Sequence, residues 1–231
     1  MNPDKVMVIV AHPDDAEFLA GGTVATWARD GASVVYVIAT SGDKGSDDPQ
    51  MTSEELRRIR EDEERRAAHR LGVSEVVFLG YEDSMLEPTL ALRRDLVRAV
   101  RRYQPSIVIT FDPTNRFITD NYPNHPDHRA AGDAAVDAVF PAARDRLTFP
   151  ELLEEGLEPH KVQEIWLGAT RDPNHWLDIE TVLQDKIEAL RIHDSQLRQF
   201  PLEEFIPGMA KWQAEGSPYT YAESFRRLVL A

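Results

Sequence analysis

The chain has 231 residues, 42% of them hydrophobic, which is enough for a sizeable core in one large α/β domain spanning residues 1–231. Asp and Glu total 40 against 26 Lys and Arg; the formal net charge of −14 repels phosphate polymers and anionic lipid surfaces and so disfavours nucleic-acid and membrane-surface partners. With no cysteine, disulfides, thiolate metal sites and cysteine nucleophiles are excluded together. No segment has the apolar length of a secretory leader or a membrane span, so a cytoplasmic location without membrane insertion is expected.

Apolar, β-branched runs at Val6–Ala11, Ala32–Ala39, Glu75–Leu79 and Ser106–Phe111, and a weaker one at Glu164–Ala169, predict strands. Helical periodicity fills the gaps. It covers Phe18–Arg29, stopped by Gly31, and Glu54–Leu71, opened by a capping box at Thr52 and Glu55 and closed by Gly72. It returns at Leu90–Tyr103, stopped by Pro105, and in an alanine-rich helix over 127–139. The charges of Glu54–Arg66 read mostly as a solvated helix face. From Pro141 to Lys161 the pattern weakens into an excursion over the surface. Helical spacing resumes at Val182–Leu197, and an amphipathic segment, Tyr221–Leu230, comes last. Apolar strands alternating with helices predict a parallel sheet between helical layers.

The first strand ends in His12-Pro13-Asp14-Asp15-Ala16-Glu17. One carboxylate at a strand exit reads as a helix N-cap. A histidine and two adjacent acids at the carboxyl end of a strand, where ligands bind in open α/β sheets, read as metal chemistry. His12 and Asp15 are three residues apart across a proline that rigidifies the turn, so both can reach one ion while Asp14 points elsewhere. After the fourth strand comes His125-Pro126-Asp127-His128. Its two histidines, at i and i+3, can project to one side of a helix start, one toward the metal and the other toward substrate. Three nitrogen or oxygen ligands plus water is the hydrolytic zinc pattern.

These two motifs together resemble the zinc-dependent N-deacetylases of the PIG-L/LmbE-like family. Further matches are Thr40-Ser41-Gly42-Asp43-Lys44-Gly45, Arg60 with Glu63, Leu79-Gly80-Tyr81-Glu82-Asp83, Phe111-Asp112-Pro113 and His193-Asp194-Ser195-Gln196. The resemblance implies a Rossmann-like three-layer α/β/α sandwich with a mainly parallel central sheet. It implies zinc held by His12, Asp15 and His128, with Asp14 as general base on the attacking water. His125 would stabilise the oxyanion or protonate the leaving amine, with Asp127 orienting or charging it. Arg60 and Asp83 would bind a small N-acetylated sugar conjugate of the N-acetylglucosamine type. One departure concerns Tyr122: some members carry a tyrosine at the position held here by Pro123, so a catalytic role for Tyr122 is not expected.

Elementary chemistry points the same way. Zinc brings the pKa of water to about 7, a base must lie within hydrogen-bond reach, and the developing oxyanion needs donors. Competing readings are an amidase for a bulkier thiol-cofactor or glycoconjugate amide, and a non-catalytic metal-binding protein, for which Asp14 and His125 are superfluous. A nucleotide-binding Rossmann protein would show Gly-x-Gly-x-x-Gly after the first strand, and this chain does not. A His₂Asp set also accepts iron, cobalt or manganese, and a homo-oligomer stays open.

Overall fold

In the computed structural model, which describes residues 3–231, the first apolar run forms β1 (Lys5–Val10) and leads through the His-Pro-Asp-Asp turn into α1 (Asp15–Arg29). Then follow β2 (Ser33–Thr40), α2 (Ser53–Arg70), β3 (Glu75–Tyr81), α3 (Leu90–Tyr103) and β4 (Ile107–Phe111). A small hairpin, β5 (Phe117–Thr119) and β6 (Tyr122–Pro123), precedes α4 (Pro126–Asp137) and the short α5 (Glu151–Glu154). The rest comprises β7 (Glu164–Gly168), β8 (His175–Asp178), α6 (Leu183–Arg191), α7 (Asp194–Leu197), α8 (Leu202–Gln213) and β9 (Ala222–Val229). Thr52 caps α2 as expected, its hydroxyl accepting the Glu55 N–H at 3.2 Å.

Seven strands form one sheet in the order β3-β2-β1-β4-β7-β9-β8. The first five are parallel to their neighbours, and β9 runs antiparallel to both β7 and β8. Both faces are covered. The alternation of β1 sends Met7 and Ile9 to a core shared with Leu92, Leu96 and Val100 of α3 and with Ala131, Ala134 and Ala135 of α4. Val6, Val8 and Val10 face the opposite core, with Leu19, Val24 and Trp27 of α1 and Ala67 and Ala68 of α2. This is the three-layer, mainly parallel α/β fold that the alternation of runs and helices predicts.

The winding places the site. From β1 the chain proceeds outward through β2 and β3, then returns to lay β4 on the other side of β1. The order therefore reverses between β1 and β4, and ligands of open α/β sheets bind outside the carboxyl ends of strands at such a point. Both histidine–aspartate motifs follow these two strands.

The last third departs from the sequence reading. Val182–Leu197 is not one helix: it breaks at Ile192–His193, where His193 takes φ −75° and ψ 53° and its imidazole turns into the interior. Tyr221–Leu230 is essentially the strand β9, whose alternation is disguised by the fully buried Glu223, ion-paired with Lys186 of α6 at 2.6 Å. Strand β8 is only four residues long, and α8 carries Pro207 in its interior, so neither showed a clear period. Among the described residues, no helix is long and apolar enough to cross a membrane.

Candidate metal and catalytic site

The turn after β1 is anchored before any chemistry is considered. The carbonyl of Ala11 accepts both the N–H and the hydroxyl of Thr40 at the end of β2. His12 then faces the cleft at 8% exposure, and Asp14 adopts the left-handed conformation at φ 90°, uncommon for a residue with a side chain. That reversal separates the neighbouring carboxylates. Asp15 turns back: its Oδ2 accepts the His12 N–H at 2.7 Å and lies 3.3 Å from His12 Nδ1.

The second half arrives on α4. Gly132 lets that helix close on β4; a Cβ there would meet the Phe111 carbonyl oxygen at 2.6 Å. His125 is the N-cap of α4, its Nδ1 accepting the Asp127 N–H at 3.2 Å. The His128 ring lies flat on Phe111, with centroids 4.2 Å apart and planes 3° apart, and its Nε2 is 3.1 Å from Asp15 Oδ1. The Asp15 carboxylate thus spans the imidazoles of His12 and His128. Ligand nitrogens of His12, His125 and His128 lie within 4.8 Å of one another. Tetrahedral donors about 2.0 Å from a zinc ion sit roughly 3.3 Å apart, and the His12–Asp15 and Asp15–His128 pairs, each made to a different carboxylate oxygen, have that spacing.

Asp127 does something the sequence did not suggest. Its fully buried carboxylate does not grip His125, from whose Nδ1 it is 4.0 Å away. Instead Oδ2 lies 3.2 Å from His12 Nε2 and accepts the Ser84 N–H at 2.8 Å, while Oδ1 accepts the Leu86 N–H. Asp127 therefore orients His125 through its backbone, and with its side chain ties His12 to the loop after β3. Asp83, on that loop, places Oδ1 3.3 Å from His12 Nε2 and accepts the Lys44 N–H with Oδ2.

Arg60 is buried, its guanidinium engaged with protein. Nη1 donates to the Gly42 carbonyl at 2.8 Å, and Nη2 donates to the Pro13 carbonyl at 2.7 Å and to Asp14 Oδ2 at 3.3 Å. Gly42, at φ 62°, leaves no room for a side chain beside that guanidinium. Tyr122 is largely exposed on the hairpin.

Charges sort the acids into two kinds. Burial pushes the Asp15 carboxyl up, but the imidazoles of His128 and His12 outweigh it and hold the carboxyl well below the usual range, as befits a ligand. Burial also pushes Asp14 up, and there it prevails over the opposing Arg60. Burial lowers His125, assisted by repulsion from His12 and His128. His12 itself is raised: burial opposes its charged form, but Asp15, Asp127 and Asp83 more than compensate.

Two features escaped the sequence reading. Phe111, noted only within a motif, is the platform beneath His128; an apolar residue ending a buried strand gives no signal of that use. Glu64 hides in a run of charges on α2, yet it is fully buried and its Oε2 accepts the Asp14 N–H at 2.9 Å.

Residues 7–139, more than half of the chain, match the family described as PIG-L, GlcNAc-PI de-N-acetylase. The chain belongs to the PIG-L family. Among PIG-L relatives, it is 34% identical over 228 residues to diacetylchitobiose deacetylase from Thermococcus kodakarensis, a match covering 96% of this chain and 82% of that protein. It is 30% identical over 200 residues to a probable N-acetyl-α-D-glucosaminyl L-malate deacetylase 2 of Bacillus anthracis, covering 84% and 82% respectively. The fold superposes on N,N′-diacetylchitobiose deacetylase from Pyrococcus horikoshii with a TM-score of 0.90 at 32% identity, over 99% of this chain and 85% of that one. The central sheet described above is thus that of the PIG-L deacetylases.

Proposed function

We propose that the protein is a zinc-dependent N-deacetylase acting on a small N-acetylglucosaminyl conjugate, with residues 1–231 working as one domain. The observation that carries this reading is the Asp15 carboxylate between His12 and His128, with a second, differently tuned carboxylate next to it. Family membership and the two named relatives support the reaction class. His12, Asp15 and His128 would hold the ion. His125 is the less suited ligand, because its Nδ1 already accepts the Asp127 N–H.

When bound, the ion supplies an acidified water with a pKa of about 7 and a Lewis acid for the acetyl carbonyl. The chain's own residues do the rest. Asp14 takes the proton of the attacking water, and its raised pKa brings it nearer the neutral range where a base works best. Because His125 Nδ1 acts as an acceptor, its neutral ring carries the proton on Nε2. That N–H is a donor for the oxyanion, the role that a lowered pKa favours. As the C–N bond breaks, the proton held by Asp14 passes to the leaving amine, giving acetate and a free amino sugar.

Asp83 remains the residue for a sugar hydroxyl: its Oδ1 already meets His12 and the Ser84 hydroxyl, but Oδ2, which accepts the Lys44 N–H, keeps a lone pair. Arg60 serves chiefly by holding Asp14 and the Pro13 carbonyl.

The test is a screen of purified, zinc-loaded protein against N,N′-diacetylchitobiose, N-acetylglucosaminyl malate and bulkier N-acyl analogues, scoring free amine and released acid. Release of acetate from an N-acetylglucosaminyl compound is the expected result. Preference for a larger acyl group would move the protein to the amidase reading, and no amine from any compound with the ion bound would remove the hydrolase reading.

A further inference from the structure

The left-handed turn at Asp14 is held in place by α2. Asp14 sits at φ 90° and ψ −27° as N-cap of α1, and its side chain makes no capping hydrogen bond. A residue with a Cβ stays in that region only where its surroundings over-determine it. Glu64 and Arg60, one turn apart, reach the turn from the same face of α2. The Glu64 carboxylate accepts the Asp14 N–H at 2.9 Å, and the Arg60 guanidinium takes the Pro13 carbonyl at 2.7 Å and the Asp14 carboxylate at 3.3 Å. A carboxyl oxygen on the N–H and a cation on the preceding carbonyl grip the two ends of one peptide unit.

Glu64 is an unusual occupant of its place. It is fully buried on the inner face of α2, near Ala67 and Ala68, where an aliphatic side chain would pack without desolvating a polar group. Among the described residues its Oε1 has no hydrogen-bond partner, and behind it stand the equally buried His193 and Glu17, with His193 Nε2 at 3.8 Å from Glu64 Oε2 and 3.4 Å from Glu17 Oε2. A solvated helix face does not explain a carboxyl group at 0% exposure. Its hydrogen bond to Asp14 does, because without it the backbone donor of this partly buried turn would lose its partner.

We propose that Glu64 is a positioning residue, fixing the Asp14 backbone so that the Asp14 carboxylate is presented to the cleft while that of Asp15 turns to the metal ligands. The inference rests on the reading of Asp14 as general base. Without the hold, the turn relaxes toward negative φ and the base is carried off its line; misplacement on the order of 1 Å can cost about 10²-fold in rate.

The experiment compares Glu64→Gln, which keeps an oxygen acceptor, with Glu64→Leu, which removes it, and Glu64→Asp, which keeps the carboxyl group but shortens the reach. Hydrogen exchange of the Asp14 amide is followed by NMR in the metal-free proteins. Metal content, kcat and KM are measured with N,N′-diacetylchitobiose on the zinc-loaded ones. In Glu64→Leu and Glu64→Asp, the Asp14 amide is expected to lose protection and kcat to fall roughly 10–100-fold, with KM and one zinc per chain retained. Glu64→Gln should stay near wild type in both readouts. If Glu64→Leu does not fold, the other two variants decide. Unchanged protection and kcat in Glu64→Asp would overturn the proposal. So would a second equivalent of zinc per chain lost on mutating His193, because an ion held by Glu17, Glu64 and His193 would draw the carboxylate away from Asp14. Asp14→Asn run in parallel keeps the two readings apart: if it retains full rate, the base assignment fails, while the amide exchange still reports the hold.

Discussion

The ring of His128 lies on the ring of Phe111 with only 3° between their planes. An imidazole that is to hold a metal, as proposed for His128, needs its orientation fixed, commonly by a hydrogen bond at its second nitrogen. Here an aromatic face at the end of β4 would supply much of that restraint, with Gly132 admitting the helix that carries His128. Phe111→Leu keeps an apolar side chain but removes the flat support. Zinc affinity is expected to drop roughly tenfold, as for other residues that orient ligands. Chelator competition measures it, and equal affinity in the two proteins would show that the stacking has no bearing on the ligand.

Much of this was legible because it is local. The runs of β1, β2 and β4 are buried on both faces, and His12, Asp15, His125 and His128 fall within four-residue motifs at two strand exits. What stayed hidden depends on long separations. Glu64 lies 50 residues from Asp14 in a run, Glu61-Asp62-Glu63-Glu64, that reads as solvated, and only the packing of α2 against the turn distinguishes it. Strand β9 was masked because Glu223 spends its charge inside, on Lys186 and the N–H groups of Gly22 and Thr23. Arg60 was singled out by the family resemblance alone, and its engagement with Gly42, Pro13 and Asp14 was not legible.

The ligand set is tested by subtraction. His12→Ala and His128→Ala each remove one imidazole from the Asp15 carboxylate and should lose the ion, measured as metal per chain after dialysis. Full occupancy in either variant would move the site elsewhere.

Stability without metal should fall as pH rises. Burial raises the Glu17 carboxyl to about 8 from an ordinary 4.5. Between those values the folded chain keeps a proton that the unfolded chain has released, so stability declines across this window and levels off above it. Raised values at Glu64 and His12 act in the same sense. Metal binding opposes the trend, since it requires His12 without its extra proton and so tightens with pH. The Tm of zinc-loaded protein minus that of chelated protein should therefore widen from pH 5 to pH 8, and Glu17→Gln should flatten the decline of the chelated form. A chelated Tm that climbs over that range would contradict the assignment.

Arg60 provides a separate handle on the base. Its guanidinium lowers the Asp14 carboxyl against the opposing effect of burial. Arg60→Met removes that cation, so Asp14 should take up its proton at higher pH. The acid limb of kcat is expected to move upward with zinc retained. A rise in KM with no movement of the limb would instead mark Arg60 as a sugar contact.

Asp14→Asn separates an enzyme from a protein that merely binds metal. Asp15 faces His12 and His128, leaving Asp14 as the carboxylate at that turn able to take a proton from water. Asparagine is nearly isosteric, and it tolerates the left-handed φ of 90° that this position demands, so the turn and the Glu64 hydrogen bond should survive. What it lacks is basicity. Loss of a positioned general base typically lowers rate by about 10²–10⁴-fold. The variant should bind zinc at wild-type stoichiometry, bind substrate with similar KM, and lose kcat by that factor. The added negative charge of wild type beside Asp15, the proposed ligand, is a milder influence, and its removal alone would alter affinity for the ion before it altered turnover. Turnover close to wild type with zinc in place would mean that the proton goes to another group, and Glu64 would then be holding a turn with no catalytic consequence.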